Sequence, residues 1–155
     1  MGKRSKGRAL LLQAMYAARQ SGRSLTDCLE DQIARREPAP DTVSFGRELA
    51  RKVINYGAAL EASVGPLLAN WDLARVGVLE RLILTIGLVE LHHSPEVPPR
   101  VIINEACELA RTFCDENAVK FVNGVLDRAR AERAEPAAEP GDRQSGAGPR
   151  KGRNA

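Results

Sequence analysis

The stretch WDLARVGVLERLILTIGLVEL, residues 71–91, decides the fold. Asp72 is its expected N-cap, and beyond that residue the segment is apolar on almost every side, the pattern of a helix at the centre of a bundle. Glu80 interrupts the apolar run. A carboxylate placed there must face solvent or a partner, or pair with a nearby arginine on its own helix.

Working outward, SPEVPP at 94–99 breaks the chain. In residues 101–113, Ile102, Ala106, Leu109 and Phe113 recur on one helical face. Asn117 is then expected to cap a last helix with Phe121, Val122, Val125 and Leu126 on its apolar side. In the other direction, Gly65-Pro66 closes a long helix whose stripe is Phe45, Leu49, Val53, Tyr56, Leu60 and Val64. EPAPD at 37–41 precedes it. Ser24 with Asp27 resembles a capping box for a helix carrying Leu25, Cys28, Leu29 and Ile33. Residues 8–19 place Leu11, Ala14, Met15 and Ala18 on one stripe with Arg8 and Arg19 on its flank, and Gly22 ends that helix. No segment has strand periodicity. The expectation is an all-α domain over residues 1–133, a bundle of about seven helices. Residues 134–155 lack periodicity and are expected to form a disordered tail containing PRKGR at 149–153.

Composition sets the class. With 43% hydrophobic and 28% charged residues, the chain is an ordinary globular protein, and with 4% aromatic residues its interior must be mostly aliphatic. Nothing approaches the uninterrupted apolar length of a membrane span, so a soluble, cytoplasmic protein is expected. Cys28, Cys107 and Cys114 are odd in number and include no C-x-x-C, which suits a reducing compartment and free thiols. Cys107 and Cys114 share a helical face. Zinc wants four ligands, however, and the adjacent His92 and His93 point in different directions, so no metal site is expected.

Catalytic motifs are absent: there is no phosphate loop, G-x-S-x-G, H-E-x-x-H or dinucleotide fingerprint. Glu105 and Glu108 are either an acid/base pair or, more simply, a solvated face paired with arginines. His92 and His93 complement a helix C-terminus. No enzyme and no cofactor is expected.

Charge is arranged by position. Lys3, Arg4, Lys6 and Arg8 give the first eight residues +4, whereas residues 9–133 carry a net −2. An anionic partner met by the N-terminal arm fits this layout, and so does a merely solubilising tail. Arg4 and Arg8 lie one helical turn apart with Lys6 between them, a flexible clamp for phosphate. Near the other end, DENAVKFVNGVLDRAR at 115–130 sets Asn123-Gly124 inside an apolar helix. Gly124 costs roughly 1 kcal/mol relative to Ala there, so close approach of a helix or a ligand is expected. Lys120, Phe121 and Asn123 offer a cation for phosphate, a ring for an unpaired base and an amide for a base edge. Phe121 and Tyr16 have an alternative as core packing residues.

The 71–91 segment, then VPPRVIINEACELARTF, then KFVNGVLD, in this order, resemble the NusB family of bacterial transcription antitermination factors, and RALLLQAMYA resembles that family's opening helix. The likeness runs from about residue 4 to about residue 130. It implies two helical sub-bundles, no catalysis, and binding of single-stranded boxA RNA together with NusE, a small-subunit ribosomal protein. It further implies assembly with other Nus factors on RNA polymerase to sustain ribosomal RNA transcription, and self-association is possible in the family. By resemblance the boxA surface spans Arg4, Lys6, Arg8, Gln13, Tyr16, Lys120, Phe121 and Asn123, and NusE meets the region of Glu80 and Arg81. Two other readings stand beside this one. The RNA-binding domain of ribosomal RNA cytosine methyltransferases shares the fold, and a helical adaptor that never touches RNA would share the composition.

Overall fold

The computed structural model describes residues 2–68 and 76–137, with side chains through residue 131. Among the described residues there are six α-helices and one short 3₁₀ turn, and no strand. Helix α1 spans Lys3–Ser21, α2 Leu25–Arg36, α3 Pro40–Ser63, α4 Val78–His93, α5 Pro99–Phe113 and α6 Glu116–Ala137; the 3₁₀ turn is Gly65–Leu68.

Local chemistry explains most boundaries. Gly22 takes the left-handed conformation, φ 78°, and returns its N–H to Ala18 O. Ser24 Oγ accepts the Asp27 N–H at 3.0 Å, as the capping box requires. Proline opens both α3 and α5, where a missing N–H costs nothing.

Besides α1, which starts at Lys3 rather than near residue 8, three boundaries differ from the expected ones. Helix α4 begins at Val78, because Gly77 is extended and Glu80 curls back over it, close enough that a Cβ on Gly77 would lie 2.5 Å from Glu80 Oε1. The proposed cap, Asp72, lies outside the described residues. The cap of α6 is Asp115 rather than Asn117: its Oδ1 accepts the Ala118 N–H at 2.9 Å, and Asn117 is already inside the helix. Finally, α6 continues to Ala137, into the stretch expected to be tail. Residues 138–155 lie outside the described residues.

The helices form two sub-bundles. Helices α1, α2 and α3 pack together, α4, α5 and α6 pack together, and α1 and α3 both lean on α4. As its apolar sequence requires, α4 is the central element, buried continuously from Leu82 to Leu91. Small residues let the helices close up. A Cβ on Gly7 would stand 2.9 Å from the Phe45 ring and 3.2 Å from Thr42 O, so α1 crosses α3 there at a distance only glycine permits. Where α3 meets α4 a Cβ on Gly57 would lie 3.2 Å from Thr85 Cγ2, and the expected stripe is displaced: Gly57 is buried, while Tyr56 turns outward and stacks on His93 with ring centroids 3.7 Å apart.

Candidate nucleic-acid interface

The basic N-terminus is not a flexible arm. It is the first turn and a half of α1, and helical geometry divides its cations between core and solvent. Arg8 is 3% exposed. Its Nε and Nη2 donate to the two carboxylate oxygens of Glu90 at 2.8 and 2.7 Å, its Nη1 lies 3.5 Å from Glu105, and its guanidinium stands 4.9 Å from the centre of the Phe45 ring. Every hydrogen-bonding edge is directed inward, so Arg8 is a structural residue with nothing left for a phosphate. Arg4, one turn earlier, shares the Phe45 ring at 5.4 Å but remains exposed, as does Lys6.

Glu90 is the residue the sequence reading missed. A carboxylate 1% exposed in the run LILTIGLVEL demands a partner, and that signal was available at Glu90 as much as at Glu80. Glu80 instead sits at the start of α4, near the α5–α6 turn, where its charge helps raise the Cys114 thiol. Burial is the larger cause, and together with Asp115 these push Cys114 up to about 11. Arg81 is half-buried at the edge of a cavity beside Leu84, Leu88 and Phe121.

On α6, Lys120 and Asn123 are exposed, whereas Phe121 is 4% exposed and belongs to the core. It is therefore not a platform on which a base can stack. The expected union of the α1 start with the α6 start fails as well. Ser5 and Arg8 reach Glu105 on one flank of α5, whereas Asn123 lies against Cys107, at 3.8 Å. Two residues along a helix turn the side chain by about 200°, so α5 holds the two regions on opposite flanks. The eight predicted residues thus separate into an α1 set and an α6 set, with Arg8 and Phe121 withdrawn from both.

The α1 set is coherent. Lys6, Gln13 and Tyr16 follow one another along the outward side of the helix, and Tyr16 is 41% exposed. Gln13 Oε1 accepts from Arg36 Nη2, and Arg36 Nε donates to Gln32 at 3.0 Å, which brings a further cation beside Lys6. Among the described residues neither Lys6 nor Arg36 has a carboxylate partner. By contrast, Lys3 is paired with Asp41 at 3.4 Å. An outward row of unneutralised cation, amide and phenol can take phosphates and polar base edges.

Among the described residues no three His, Cys, Asp or Glu side chains gather as a metal site, and no helix is long and apolar enough to cross a membrane. Glu105 and Glu108 line one pocket with Ser5 and Leu109, and each is engaged: Glu105 accepts from Ser5 and meets Arg8, while Glu108 pairs with Arg111.

Comparison with known proteins agrees with this architecture. The NusB protein of Thermotoga maritima has the same fold, with a TM-score of 0.73 at 25% identity, covering 87% of this chain and 98% of that one. The NusB chain of a crystallised NusB–NusE complex with double-stranded RNA aligns with a TM-score of 0.76 at 21% identity, over 85% of this chain and 98% of its own. The transcription antitermination protein NusB of Myxococcus xanthus is 36% identical over 132 residues, which is 83% of this chain and 94% of that protein. The NusB family model matches residues 5–131, which is the whole of the helical body from the first turn of α1 into α6, and the chain accordingly belongs to the NusB family.

Proposed function

We propose that this chain is a transcription antitermination factor that binds boxA-type single-stranded RNA jointly with NusE, and that it joins the other Nus factors at RNA polymerase in the cytoplasm to sustain ribosomal RNA transcription. The observation that carries the reading is the family match across the entire helical body. A structural neighbour crystallised with NusE and double-stranded RNA supports both partner classes.

The principal RNA surface in this reading is the row Lys6, Gln13 and Tyr16 on α1, with Arg4 exposed on the neighbouring face of the same helix start. Lys120 and Asn123 on α6 form a second, separate contact. Arg8 supports the first from inside. NusE takes the opening of α4 at Glu80 and Arg81. A gel shift with a boxA oligonucleotide, with and without NusE, tests the whole: a cooperative shift is expected, and no shift under either condition leaves only a protein adaptor. A Glu80→Lys protein that still copurifies with NusE at full affinity removes the partner assignment. Arg4→Gln or Lys6→Gln should each flatten the salt dependence of binding by about 0.7 in log–log slope, the value for one phosphate on a single strand.

A further inference from the structure

Beside the α1 row lies a groove of about 390 Å³ between α1, α2 and the opening of α3, lined by Lys6, Ala9, Gln13, Arg36, Pro38 and Thr42 among others. Four features of it converge. Two cations, Lys6 and Arg36, stand at its rim with no carboxylate partner among the described residues. The Arg36 guanidinium is held by neutral amides, those of Gln13 and Gln32, which fix its position and leave its charge intact. The first turn of the long helix α3 has no side-chain cap, and its first backbone bond runs from Val43 N–H to Ala39 O, so the N–H groups before Val43 are unspent. Thr42 is 1% exposed, and its Oγ1 has no hydrogen-bond partner.

A buried hydroxyl without a partner is costly, and the native structure keeps it beside two cations that have no carboxylate partner among the described residues and beside a helix start without a side-chain cap. The cleft on the other side of the same helix start behaves differently. There Lys3 is paired with Asp41 at 3.4 Å, and Glu48 and Glu96 also line the cleft, so it lacks the excess positive charge of the groove.

We propose that the groove between α1, α2 and the start of α3 is a phosphate subsite, in which Arg36, Lys6 and the Thr42 hydroxyl grip one backbone phosphodiester of bound RNA. The subsite rests on the RNA-binding reading and extends it to residues outside the expected boxA surface. A phosphate contact positions the strand without reading its sequence.

The test is a fluorescence-anisotropy titration of a short labelled boxA-type RNA, and of a scrambled RNA of equal length, across a salt series. Arg36→Gln should lower the log–log salt slope by about 0.7 and weaken both RNAs by the same factor, and Arg36→Lys should restore the slope. Thr42→Val should weaken RNA binding while its thermal midpoint stays level or rises, because the hydroxyl has no bond to lose in the free protein. A merely structural role would move both readouts together. If the wild-type chain binds RNA and Arg36→Gln leaves its slope unchanged, the subsite is refuted and the broader reading survives. If the wild-type chain binds neither RNA, alone or with NusE, the RNA reading fails and the subsite with it. Saturable binding of inorganic phosphate, abolished in Arg36→Gln while RNA binding is untouched, would make this a small-anion site and likewise overturn the proposal.

Discussion

Replacing Arg8 by methionine leaves the Glu90 carboxylate 1% exposed and without the two short bonds, 2.8 and 2.7 Å, that neutralise it. Removing one member of a buried ion pair costs about 3–5 kcal/mol, since the charge left behind has lost both water and partner. In a chain of this size each kcal/mol moves the melting midpoint by about 2–4 °C, so Arg8→Met should melt on the order of 10 °C lower. Glu90→Leu should cost less. The guanidinium it strands still has Glu105 at 3.5 Å, on a side chain one-quarter exposed, and the face of Phe45. The double replacement Arg8→Met/Glu90→Leu removes both charges at similar volume and should recover to within about 1 kcal/mol of the native protein. Urea unfolding followed by circular dichroism gives all four free energies, and the cycle isolates the coupling, expected at several kcal/mol and almost insensitive to salt. An Arg8→Met loss below about 1 kcal/mol, or a double mutant as unstable as the sum of the singles, would refute the buried pair. The double mutant also decides the role of Arg8 in binding. Its RNA salt slope should match the native one, whereas a fall of about 0.7 would return Arg8 to the phosphate contacts.

Three further outcomes follow from the same geometry. Phe121→Ala should destabilise the fold by about 3–5 kcal/mol, the cost of a large cavity in the core; in urea unfolding, a loss under about 1 kcal/mol would put the ring back on the surface. His93 is held below the ordinary 6.5 by partial burial, then by His92 and Lys52, so the folded chain takes up its proton less readily than the unfolded one. Its contribution to stability is therefore present above pH 6.5 and lost as the pH falls through the lower folded value; Tyr56→Ala, which uncovers the stacked ring, should raise the His93 midpoint toward 6.5 in an NMR titration. Cys114, pushed up to about 11 against an ordinary 9.0, should be alkylated by iodoacetamide at pH 8 roughly a hundredfold more slowly than a peptide thiol, as read by mass spectrometry, and equal rates would contradict its burial.

Patterns of apolar residues and stop signals in the sequence located most of the helix ends, because Gly22, Ser24, EPAPD and SPEVPP act through local backbone chemistry that needs no tertiary context. The start of α4 was misjudged for a physical reason. Asp72 lies outside the described residues, and the conformation of Gly77 and the return of Glu80 set the boundary at Val78, where the helix enters the core. Tyr56 misled for a similar reason. A stripe read by size puts the tyrosine inward, but the α3 face that closes on α4 carries Gly57, and Tyr56 beside it is turned outward. At the interface, the cations of α1 were legible as a group and not as individuals. Which of them faces inward depends on a carboxylate 82 positions away, and no local pattern connects Arg8 to Glu90.

That long-range bond changes what the N-terminus can do. A flexible arm would have to give up conformational freedom each time it closed on RNA, a cost of about 1–2 kcal/mol for every residue whose backbone becomes fixed. Here the ordering is complete before any ligand arrives. The Arg8 side chain on α1 engages Glu90 on α4, Glu105 on α5 and Phe45 on α3, so one guanidinium anchors the first helix to both sub-bundles. Lys6, Gln13 and Tyr16 on the outward side are thereby held at fixed spacing, with Arg36 latched beside them through Gln13. Preorganisation of this kind strengthens binding by cutting its entropic cost rather than by adding contacts. It follows that destabilising the Arg8–Glu90 pair without unfolding the chain should weaken RNA binding equally at low and high salt. Removing Lys6 or Arg36 should instead weaken it most at low salt, so the salt dependence separates a residue that positions the helix from one that meets the phosphate.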